Sequence, residues 1–472
     1  MKKTKIVATL GPASSDKKVL EQMIFEGVNV CRLNFSHGSH EDHGKVIKII
    51  REINDETGQN VAILADLQGP KIRTGDMENN SVELKEGATL KIVTEAVLGT
   101  SDTISITYDQ LPADVEAGER ILLDDGKLEL EVIKTNGKSE FTTKVIYGGI
   151  LSSKKGVNLP NTTTSLPCLT EKDLEDLAFA LEQNVDWIGL SFVRSGRDII
   201  ELKHLIAAKK CKAKVVAKIE KPEAIADIDE ILKETDALMV ARGDLGVEIP
   251  YQDVPLIQKM LIRKSRHNAK PVIVATQMME SMMTNSSPTR AEVNDVANAV
   301  LDGADAVMLS GETSVGKYPV QVIQTMANIV TKIETHDELY YKEEFPAKNQ
   351  ERFITDSICF NACRLARRVE AQAILTMSFT GYTAYKISSQ RPDAEIIVFT
   401  SNRQILTQLS LIWGVRGMYY DKTVSTDHTI ADIKYLIKKE GFVNEGDLVI
   451  NIASMPIEAH GNSNMLKLSY VE

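Results

Sequence analysis

Residues Val215 to Asp244 read VVAKIEKPEAIADIDEILKETDALMVARGD, and their pattern indicates the architecture of the chain. The stretch contains two short apolar runs, Val215–Glu220 and Ala237–Asp244, each ending in a carboxylate. The segment between the runs has about the length of one loop–helix–loop connection. In a parallel barrel, side chains at the ends of neighbouring strands project into the same mouth. We therefore expect the two carboxylates to lie close together, with Lys218 beside them.

Eight short apolar runs of this kind occur along the chain, and helical patterns usually follow them. Their hydrophobicity is continuous rather than alternating, which fits parallel strands buried on both faces. The pattern favours an α/β barrel or a doubly wound sheet. The runs are Ile6–Leu10, Val28–Phe35, Val61–Leu67, Val185–Val193, Val215–Glu220, Ala237–Asp244, Val272–Gln277 and Ala306–Glu312.

A long insertion separates the third run from the fourth, from about Pro70 to Pro167. It is rich in β-forming residues, and Asp125-Gly126 is a hairpin signal. Proline-rich hinges on both sides predict a mobile lid over the barrel mouth, although an inert decoration of the barrel is the alternative. The predicted strands are Val82–Leu84, Thr89–Val93, Ile121–Leu123, Leu128–Ile133 and Phe141–Val145.

A second α/β unit follows the polar stretch from His336 to Arg352. Its predicted strands are Ala373–Met377, Glu395–Thr400, Val415–Tyr420 and Leu448–Ala453. The 472 residues also suit about three domains. We predict a discontinuous barrel domain of residues 1–69 and 168–338, an all-β lid of residues 70–167, and a C-terminal α/β domain of residues 339–472.

Composition and charge exclude several classes of protein. The net charge of −11 argues against a nucleic-acid-binding surface. The five cysteines contain no Cys-x-x-Cys pair, so neither a disulfide framework nor a zinc ribbon is indicated. No apolar stretch approaches the roughly 20 residues of a membrane span. We therefore expect a cytoplasmic protein with neither a nucleic-acid nor a membrane partner.

Polar residues collect at the C-terminal ends of the eight runs, where a barrel would bring them to one rim. A lysine, an arginine and two carboxylates in one pocket suit a phosphorylated substrate held with Mg²⁺. Single members such as Ser310 or Gln277 could instead bond neighbouring loops. The set is Arg32, Asn34, Ser36, Asp66, Ser191, Lys218, Glu220, Asp244, Thr276, Gln277, Ser310 and Glu312. There is no nucleotide-binding P-loop and no protein-kinase signature in the chain.

Six long motifs, in order along residues 5–313, resemble those of the pyruvate kinase family. They are KIVATLGPAS at residues 5–14, CRLNFSHG at 31–38, KGVNLP at 155–160, VARGDLGVE at 240–248, ATQMMESM at 275–282 and MLSGET at 308–313. Weaker similarity continues to the end of the chain. The resemblance implies a TIM (β/α)8 barrel with an inserted lid and a C-terminal α/β domain. It also implies phosphoryl transfer from phosphoenolpyruvate to ADP, which gives pyruvate and ATP in the last step of glycolysis.

The resemblance assigns a role to individual residues at the barrel mouth. It implies that Lys218 stabilises the transition state and that Arg32 contacts the phosphoryl group. It also implies that Gly243, Asp244 and Thr276 bind substrate. Glu220 and Asp244 match the ligands of Mg²⁺, for which Mn²⁺ is an alternative. Arg73 and Lys155, with His37, match nucleotide contacts. The proton donor to enolpyruvate stays open between Thr276, Ser310 and a water chain.

The sequence departs from much of the family at the monovalent-cation site. Asn34, Ser36, Asp66 and the Leu67 carbonyl match K⁺ ligands. However, Leu67, Gln68 and Lys71 stand where K⁺-dependent members have threonine, lysine and glutamate. An ammonium group can supply the charge of K⁺, and two neighbouring cations would repel each other. We expect Lys71 to make K⁺ unnecessary, with a solvated hinge charge as the alternative.

The loop Thr376–Thr383 follows a strand and opens a helix, so it could bind phosphate at the helix N-terminus. The resemblance implies a sugar-phosphate or nucleotide effector held by Ser378, Thr380, Gly381 and Thr383, and an allosterically regulated homotetramer. An ordinary strand–helix turn is the alternative. Two other functions stay open: a Mg²⁺-dependent lyase or aldolase acting on pyruvate enolate, and a catalytically dead phosphate sensor.

Overall fold

The computed structural model describes residues 2–160, 162, 164–348, 351–422, 424–455 and 462–472. Its first segment alternates strands with amphipathic helices. The elements are β1 (Lys5–Thr9), α1 (Lys17–Glu26), β2 (Val30–Asn34), α2 (His40–Thr57) and β3 (Ala62–Asp66). The Asp16 carboxylate accepts two N–H groups at the start of α1, and Ser39 forms a capping box at the start of α2. These caps satisfy N–H groups that lack a partner within the helix.

The insertion after β3 is a β domain with its own apolar core. Its elements are β4 (Ser81–Leu84), β5 (Thr89–Val93), β6 (Thr103–Ser105), α3 (Leu111–Asp114), β7 (Arg120–Leu123), β8 (Leu128–Thr135), β9 (Glu140–Tyr147), β10 (Gly149–Ser152) and β11 (Val157–Asn158). Six strands pair in the order β11–β7–β8–β9–β5–β6, and β10 pairs with β4. All five predicted strands form, and the hairpin predicted at Asp125-Gly126 joins β7 to β8.

The chain then returns to the barrel domain. The elements are α4 (Glu171–Glu182), β12 (Trp187–Leu190), α5 (Gly196–Ala208), β13 (Lys214–Ile219), α6 (Pro222–Ala226), α7 (Ile228–Glu234), β14 (Ala237–Ala241), α8 (Arg242–Glu248), α9 (Val254–His267), β15 (Val272–Ala275), α10 (Arg290–Asp302), β16 (Ala306–Leu309), α11 (Gly311–Ser314) and α12 (Pro319–Ile333). None of the helices in the described parts of the chain is long and apolar enough to cross a bilayer.

Eight parallel strands close into a barrel in the order β1–β2–β3–β12–β13–β14–β15–β16, with β16 paired to β1. This confirms the predicted TIM barrel, and each predicted run overlaps one strand. The predicted runs that end at Asp244 and Glu312 extend into helices, because Asp244 lies in the first turn of α8 and Glu312 lies in α11. Helix α8 begins directly after Ala241, the last residue of β14, whereas Ser310 separates Leu309 of β16 from α11.

The C-terminal domain is a five-stranded sheet covered by helices. Its elements are α13 (Phe353–Val369), β17 (Ala373–Met377), α14 (Tyr382–Ser389), β18 (Glu395–Thr400), α15 (Arg403–Gln408), β19 (Val415–Tyr419), α16 (Thr426–Lys439), β20 (Leu448–Ala453) and β21 (Met465–Tyr470). The four predicted strands form. The fifth, β21, pairs antiparallel at the edge and was missed, because a half-exposed edge strand lacks a continuous apolar run.

The C-terminal domain packs against the N-terminal ends of the barrel strands. Leu411 belongs to the apolar cluster of the barrel interior, which also includes Val7 and Trp187. The Lys5 ammonium donates to the Val415 carbonyl. The opposite end of the barrel, where the strands end, faces the lid and carries the polar residues.

Candidate active site at the barrel mouth

Neighbouring strand ends place Arg32 against two polar partners. Its Nε donates to Asp66 Oδ2 at 2.6 Å, and its Nη1 donates to Thr9 Oγ1 at 2.9 Å. Asp66 is almost completely buried, so the guanidinium compensates a carboxylate that water cannot reach. The sequence predicted both charged residues at this rim, but it gave no sign of the contact with Thr9.

Lys218 lies between two buried carboxylates. Its Nζ is 2.9 Å from Glu220 Oε1 and donates to Ser191 Oγ at 2.7 Å. It also lies 3.2 Å from Asp66 Oδ1, an ion-pair contact without hydrogen-bond alignment. The Ser191 hydroxyl in turn donates a hydrogen bond to the Leu67 carbonyl at 2.6 Å. The site therefore fixes the ammonium from three sides.

The charges in this cluster set one another's protonation. Burial disfavours the charge on Lys218, but Asp66 and Glu220 outweigh burial and raise the pKa of the lysine. Burial likewise opposes the charge on Asp66, but Lys218 and Arg32 outweigh it and lower the pKa of this carboxyl. The cluster thus keeps Lys218 as a cation and Asp66 as an anion.

For Glu220 the groups that raise the pKa outweigh those that lower it, unlike for Asp66. This makes Glu220 a better candidate for a metal ligand than Asp66. Burial and the nearby negative charge of Asp244 raise the pKa of Glu220, although Lys218 opposes the shift. Its Oε2 also accepts the backbone N–H of Phe192 at 2.8 Å. A divalent cation between the two carboxylates would relieve their repulsion, so this donor set fits Mg²⁺.

The acidic residues of the mouth do not form a larger metal cage. No group of three or more His, Cys, Asp or Glu side chains suited to a metal ion occurs among the residues that the structure describes. Mg²⁺ commonly binds through one or two carboxylates and takes its other ligands from substrate phosphate and water. The Glu220–Asp244 pair matches this mode of binding.

Gly243 and Thr276 meet at the next strand ends. The Gly243 N–H donates to Thr276 Oγ1 at 2.7 Å, and a Cβ added at Gly243 would lie 3.3 Å from that hydroxyl oxygen. Thr276 has φ +68° and Gln277 has φ +54°. A β-branched residue rarely adopts this left-handed conformation, and such strain is typical of functional sites.

Arg242 supports this strained turn from behind. It forms a two-pronged ion pair with Asp295 of α10, with Nη–Oδ distances of 2.6 and 2.7 Å. It also donates to the carbonyls of Ala275 and Thr276, at 3.2 and 2.7 Å. The sequence analysis missed this role, since Asp295 is distant in sequence and follows no strand.

The comparisons with known proteins agree with this architecture. A family model described as the pyruvate kinase barrel domain matches residues 1–323, and one described as the pyruvate kinase alpha/beta domain matches residues 356–469. The chain belongs to the pyruvate kinase family. The recognition made from the sequence motifs is thereby confirmed.

Individual relatives in the pyruvate kinase family match along the whole chain. A pyruvate kinase of Geobacillus stearothermophilus is 46% identical over all of this chain and 80% of its own length. One of Corynebacterium efficiens is 44% identical over 98% of this chain and 97% of its own. The crystal structure of a pyruvate kinase from Cryptosporidium parvum aligns with a TM-score of 0.94 at 36% identity, over 100% of this chain and 96% of that one.

The residues predicted to contact nucleotide lie apart from the buried charges. Arg73 and Lys155 are in the lid, where Arg73 donates to the Lys154 carbonyl and Lys155 pairs with Asp124 Oδ1 at 2.8 Å. His37 is exposed before α2, and its carbonyl oxygen lies 2.9 Å from a ring nitrogen of His43. The lid therefore carries two of the three predicted residues.

The four predicted K⁺ positions already interact within the chain. Asn34 Oδ1 accepts the N–H of Ser36 at 3.2 Å, and the Leu67 carbonyl accepts the Ser191 hydroxyl. Asp66 pairs with two cations, as described above. Lys71, at the lid hinge, and Asp244 both line a cavity of about 40 Å³.

Ser310 lies at the mouth, directly after the end of β16. Its N–H donates to Glu312 Oε2 at 2.7 Å, while Glu312 Oε1 accepts the N–H of Met279 at 3.2 Å. Glu312 is buried and joins two strand-end loops, so it is a structural member of the predicted set.

Three of the four predicted effector residues, Ser378, Thr380 and Thr383, line a cavity of about 200 Å³ in the C-terminal domain, whereas Gly381 does not. Ser378 Oγ accepts the N–H of Gly381, which has φ +81°, and Thr383 lies within hydrogen-bond distance of Ser463. The sequence could not identify the facing wall, because it comes from distant loops. These contribute Arg352, Ser401, Lys422, Ser454 and Asn462.

Proposed function

We propose that this chain transfers the phosphoryl group of phosphoenolpyruvate to ADP and then protonates enolpyruvate, which gives pyruvate and ATP. Phosphoryl transfer asks a protein mainly for positive charge and in-line positioning. The observation that carries the proposal is the buried Lys218 ammonium, held between Asp66 and Glu220 at the rim that also bears Arg32.

Each residue at the mouth has a task in this reaction. Lys218 supplies a fixed point charge to the phosphoryl group in transit, and Arg32 adds a planar donor to its oxygens. The Gly243 N–H and the Thr276 hydroxyl exchange their mutual hydrogen bond for contacts with the substrate. Thr276 and Ser310, alone or through water, are the candidate donors of the final proton.

Glu220 and Asp244 would hold Mg²⁺ or Mn²⁺, which supplies charge neutralisation for the phosphate oxygens when bound. Arg73 and Lys155 would bind the phosphates of ADP from the lid, with His37 at the edge of the mouth. This division assigns phosphoenolpyruvate to the barrel and the nucleotide to the space between barrel and lid.

The dependence of pyruvate release on ADP tests the reaction. Purified protein with phosphoenolpyruvate and Mg²⁺ should release pyruvate only when ADP is added, with one ATP formed for each pyruvate. Pyruvate release without ADP would favour a barrel lyase or aldolase. Absence of both products, together with binding of phosphate compounds, would favour a catalytically dead sensor.

K⁺ independence is a further part of the proposal. Lys71, at the lid hinge, lines a cavity together with Asp244, and we expect its ammonium to supply the charge for which many family members recruit K⁺. Turnover at saturating Mg²⁺ should therefore stay within about twofold when tetramethylammonium replaces K⁺. Collapse of turnover in tetramethylammonium would identify Lys71 as an ordinary hinge charge.

Membership of the family also leads us to propose how the protein is regulated, how it assembles and where it works. The C-terminal cavity, with its hydroxyl groups and two cationic side chains, supports an effector that carries phosphate. Repeating the assay with fructose 1,6-bisphosphate and with AMP tests this idea and distinguishes the two effector classes. We also propose a homotetramer that works in the cytoplasm at the last step of glycolysis.

A further inference from the structure

Glu248, the last residue of α8, has an unusual environment outside the charge cluster described above. Its side chain is 1% exposed. Its Oε1 accepts two donors, Lys221 Nζ at 2.9 Å and Asn158 Nδ2 at 2.9 Å. Its Oε2 has no hydrogen-bond partner among the described residues. A buried carboxylate is costly unless it is paired, so this arrangement depends on its two donors.

The two donors come from different parts of the fold. Lys221 directly follows Glu220 at the end of β13, and Asn158 ends β11 of the lid. Glu248 closes α8, whose first turn contains Asp244. One carboxylate therefore ties the lid to both segments that bear the proposed Mg²⁺ ligands.

In the lid, Asn158 lies close in sequence to the residues that are proposed to contact the nucleotide. Asn158 lies three residues after Lys155, and Gly156 between them forms a β-bridge with Arg73. We therefore expect a shift of Asn158 to move the side chains of Lys155 and Arg73.

The returning hinge of the lid is held at the same crevice. Arg194 donates to the carbonyls of Thr164 and Leu166, at 2.8 and 2.7 Å. Arg194 and Leu166 line the 40 Å³ cavity together with Asn158 and Glu248. With the hinge fixed in this way, the Asn158–Glu248 hydrogen bond links β11 directly to α8.

We propose that Glu248 is a positioning residue, which uses the Asn158–Glu248 hydrogen bond to set the lid over the barrel mouth for ADP. The proposal rests on the phosphoryl-transfer function proposed above. It predicts that breaking this bond weakens ADP binding while binding of phosphoenolpyruvate to the barrel is preserved. Nothing in the contact involves the reacting atoms, so Glu248 acts only through the segments that it joins.

Substitutions of Asn158 and Glu248 test the proposal through the two substrates separately. Asn158→Ala removes the donor, and Asn158→Asp places a second carboxylate against Glu248. Both variants should raise KM for ADP about 10-fold, since a hydrogen bond to a charged group is lost. Phosphoenolpyruvate affinity, measured by calorimetry with Mg²⁺, should stay within twofold of the wild type. Thermal unfolding checks that each variant is folded at the assay temperature, since loss of a donor to the buried carboxylate is expected to lower its stability.

An exchange variant separates positioning from general damage. In Asn158→Asp/Glu248→Gln the donor and acceptor are swapped, and Lys221 keeps an anionic neighbour. This double variant should recover KM for ADP to within about threefold of the wild type. Asn298→Ala, at an exposed amide on α10 that bonds its own helix, is the matched control and should change nothing.

Two results would overturn the proposal: unchanged KM for ADP in Asn158→Ala, or a double variant no better than Asn158→Asp. A wild-type protein that forms no ATP would contradict the proposed function instead. In that case the ADP affinities of the same variants, measured by calorimetry, would show whether the Asn158–Glu248 contact positions the lid for ADP.

Discussion

At the scale of single residues, the barrel mouth combines charge neutralisation with backbone strain. Lys218 remains an ammonium because Asp66 and Glu220 outweigh its burial. Thr276 keeps a left-handed backbone because its hydroxyl accepts the Gly243 N–H and donates to the Ala275 carbonyl at 2.6 Å. Because these hydrogen bonds hold a strained backbone in place, we expect their loss to lower the activity.

Thr276→Val tests this expectation with a side chain of nearly the same shape. The variant removes the hydroxyl that is proposed to contact the substrate and that supports the strained turn, which should lower kcat/KM for phosphoenolpyruvate by roughly 10- to 100-fold. Thr276→Ser keeps the hydroxyl and should stay within a few-fold of the wild type. Steady-state kinetics with phosphoenolpyruvate as the varied substrate give the comparison, and equal losses in both variants would contradict it.

At the scale of elements, the strands were predictable and the contacts between loops were not. The eight barrel strands could be predicted because each is buried on both faces and therefore apolar throughout. Polar residues at strand ends followed from the same pattern. Arg242 was missed, because its role depends on Asp295, which a helix brings to the β15 loop. Sequence patterns describe periodicity along an element but do not specify which helix faces which loop.

Asp295→Asn measures how far α10 supports the active-site turn. The substitution removes the charge that orients Arg242, so the Thr276 turn should lose definition and kcat should fall about 10-fold. Asp302→Asn is the control on the same helix, where the carboxylate pairs with Lys259 and accepts a hydrogen bond from Gln258 rather than from Arg242. Similar kcat values for the two variants would show that Arg242 holds the turn without Asp295.

At the scale of the whole molecule, the C-terminal domain closes the end of the barrel opposite the mouth. Arg391 is fully buried and pairs with Asp305 Oδ2 at 3.0 Å, and Asp186 accepts the Thr407 hydroxyl of α15. The sequence indicated that this domain exists, but it could not indicate the docking face. The contacts come from loops at strand starts, where no pattern singles out residues such as Asp186.

Asp186 also gives the docked molecule a predictable dependence on pH. Burial raises the pKa of Asp186 from 3.8 to about 6. Because the folded state holds this proton more tightly than the unfolded state, stability decreases as pH rises from about 4 to about 6. A difference of about 2 pKa units corresponds to a loss on the order of 3 kcal/mol, complete above pH 6.

Asp186→Asn removes this titration and can still accept the Ile63 N–H. Relative to the wild type, its free energy of unfolding should therefore rise progressively between pH 4 and pH 6.5. Urea denaturation at several pH values measures the difference, in which the titrations of other groups cancel. Parallel stability curves for the two proteins would contradict the assignment to Asp186.

The most direct test of phosphoryl transfer at this barrel mouth is ATP formation by wild type and Lys218→Met under saturating phosphoenolpyruvate, ADP and Mg²⁺. Methionine keeps much of the length and apolar character of the lysine stem but removes the ammonium between Asp66 and Glu220. We expect the wild type to form ATP and pyruvate in equal amounts, and the variant to lose at least about 1,000-fold in kcat. Retention of turnover by a folded Lys218→Met protein, or its absence from the wild type, would contradict the proposed function of the site.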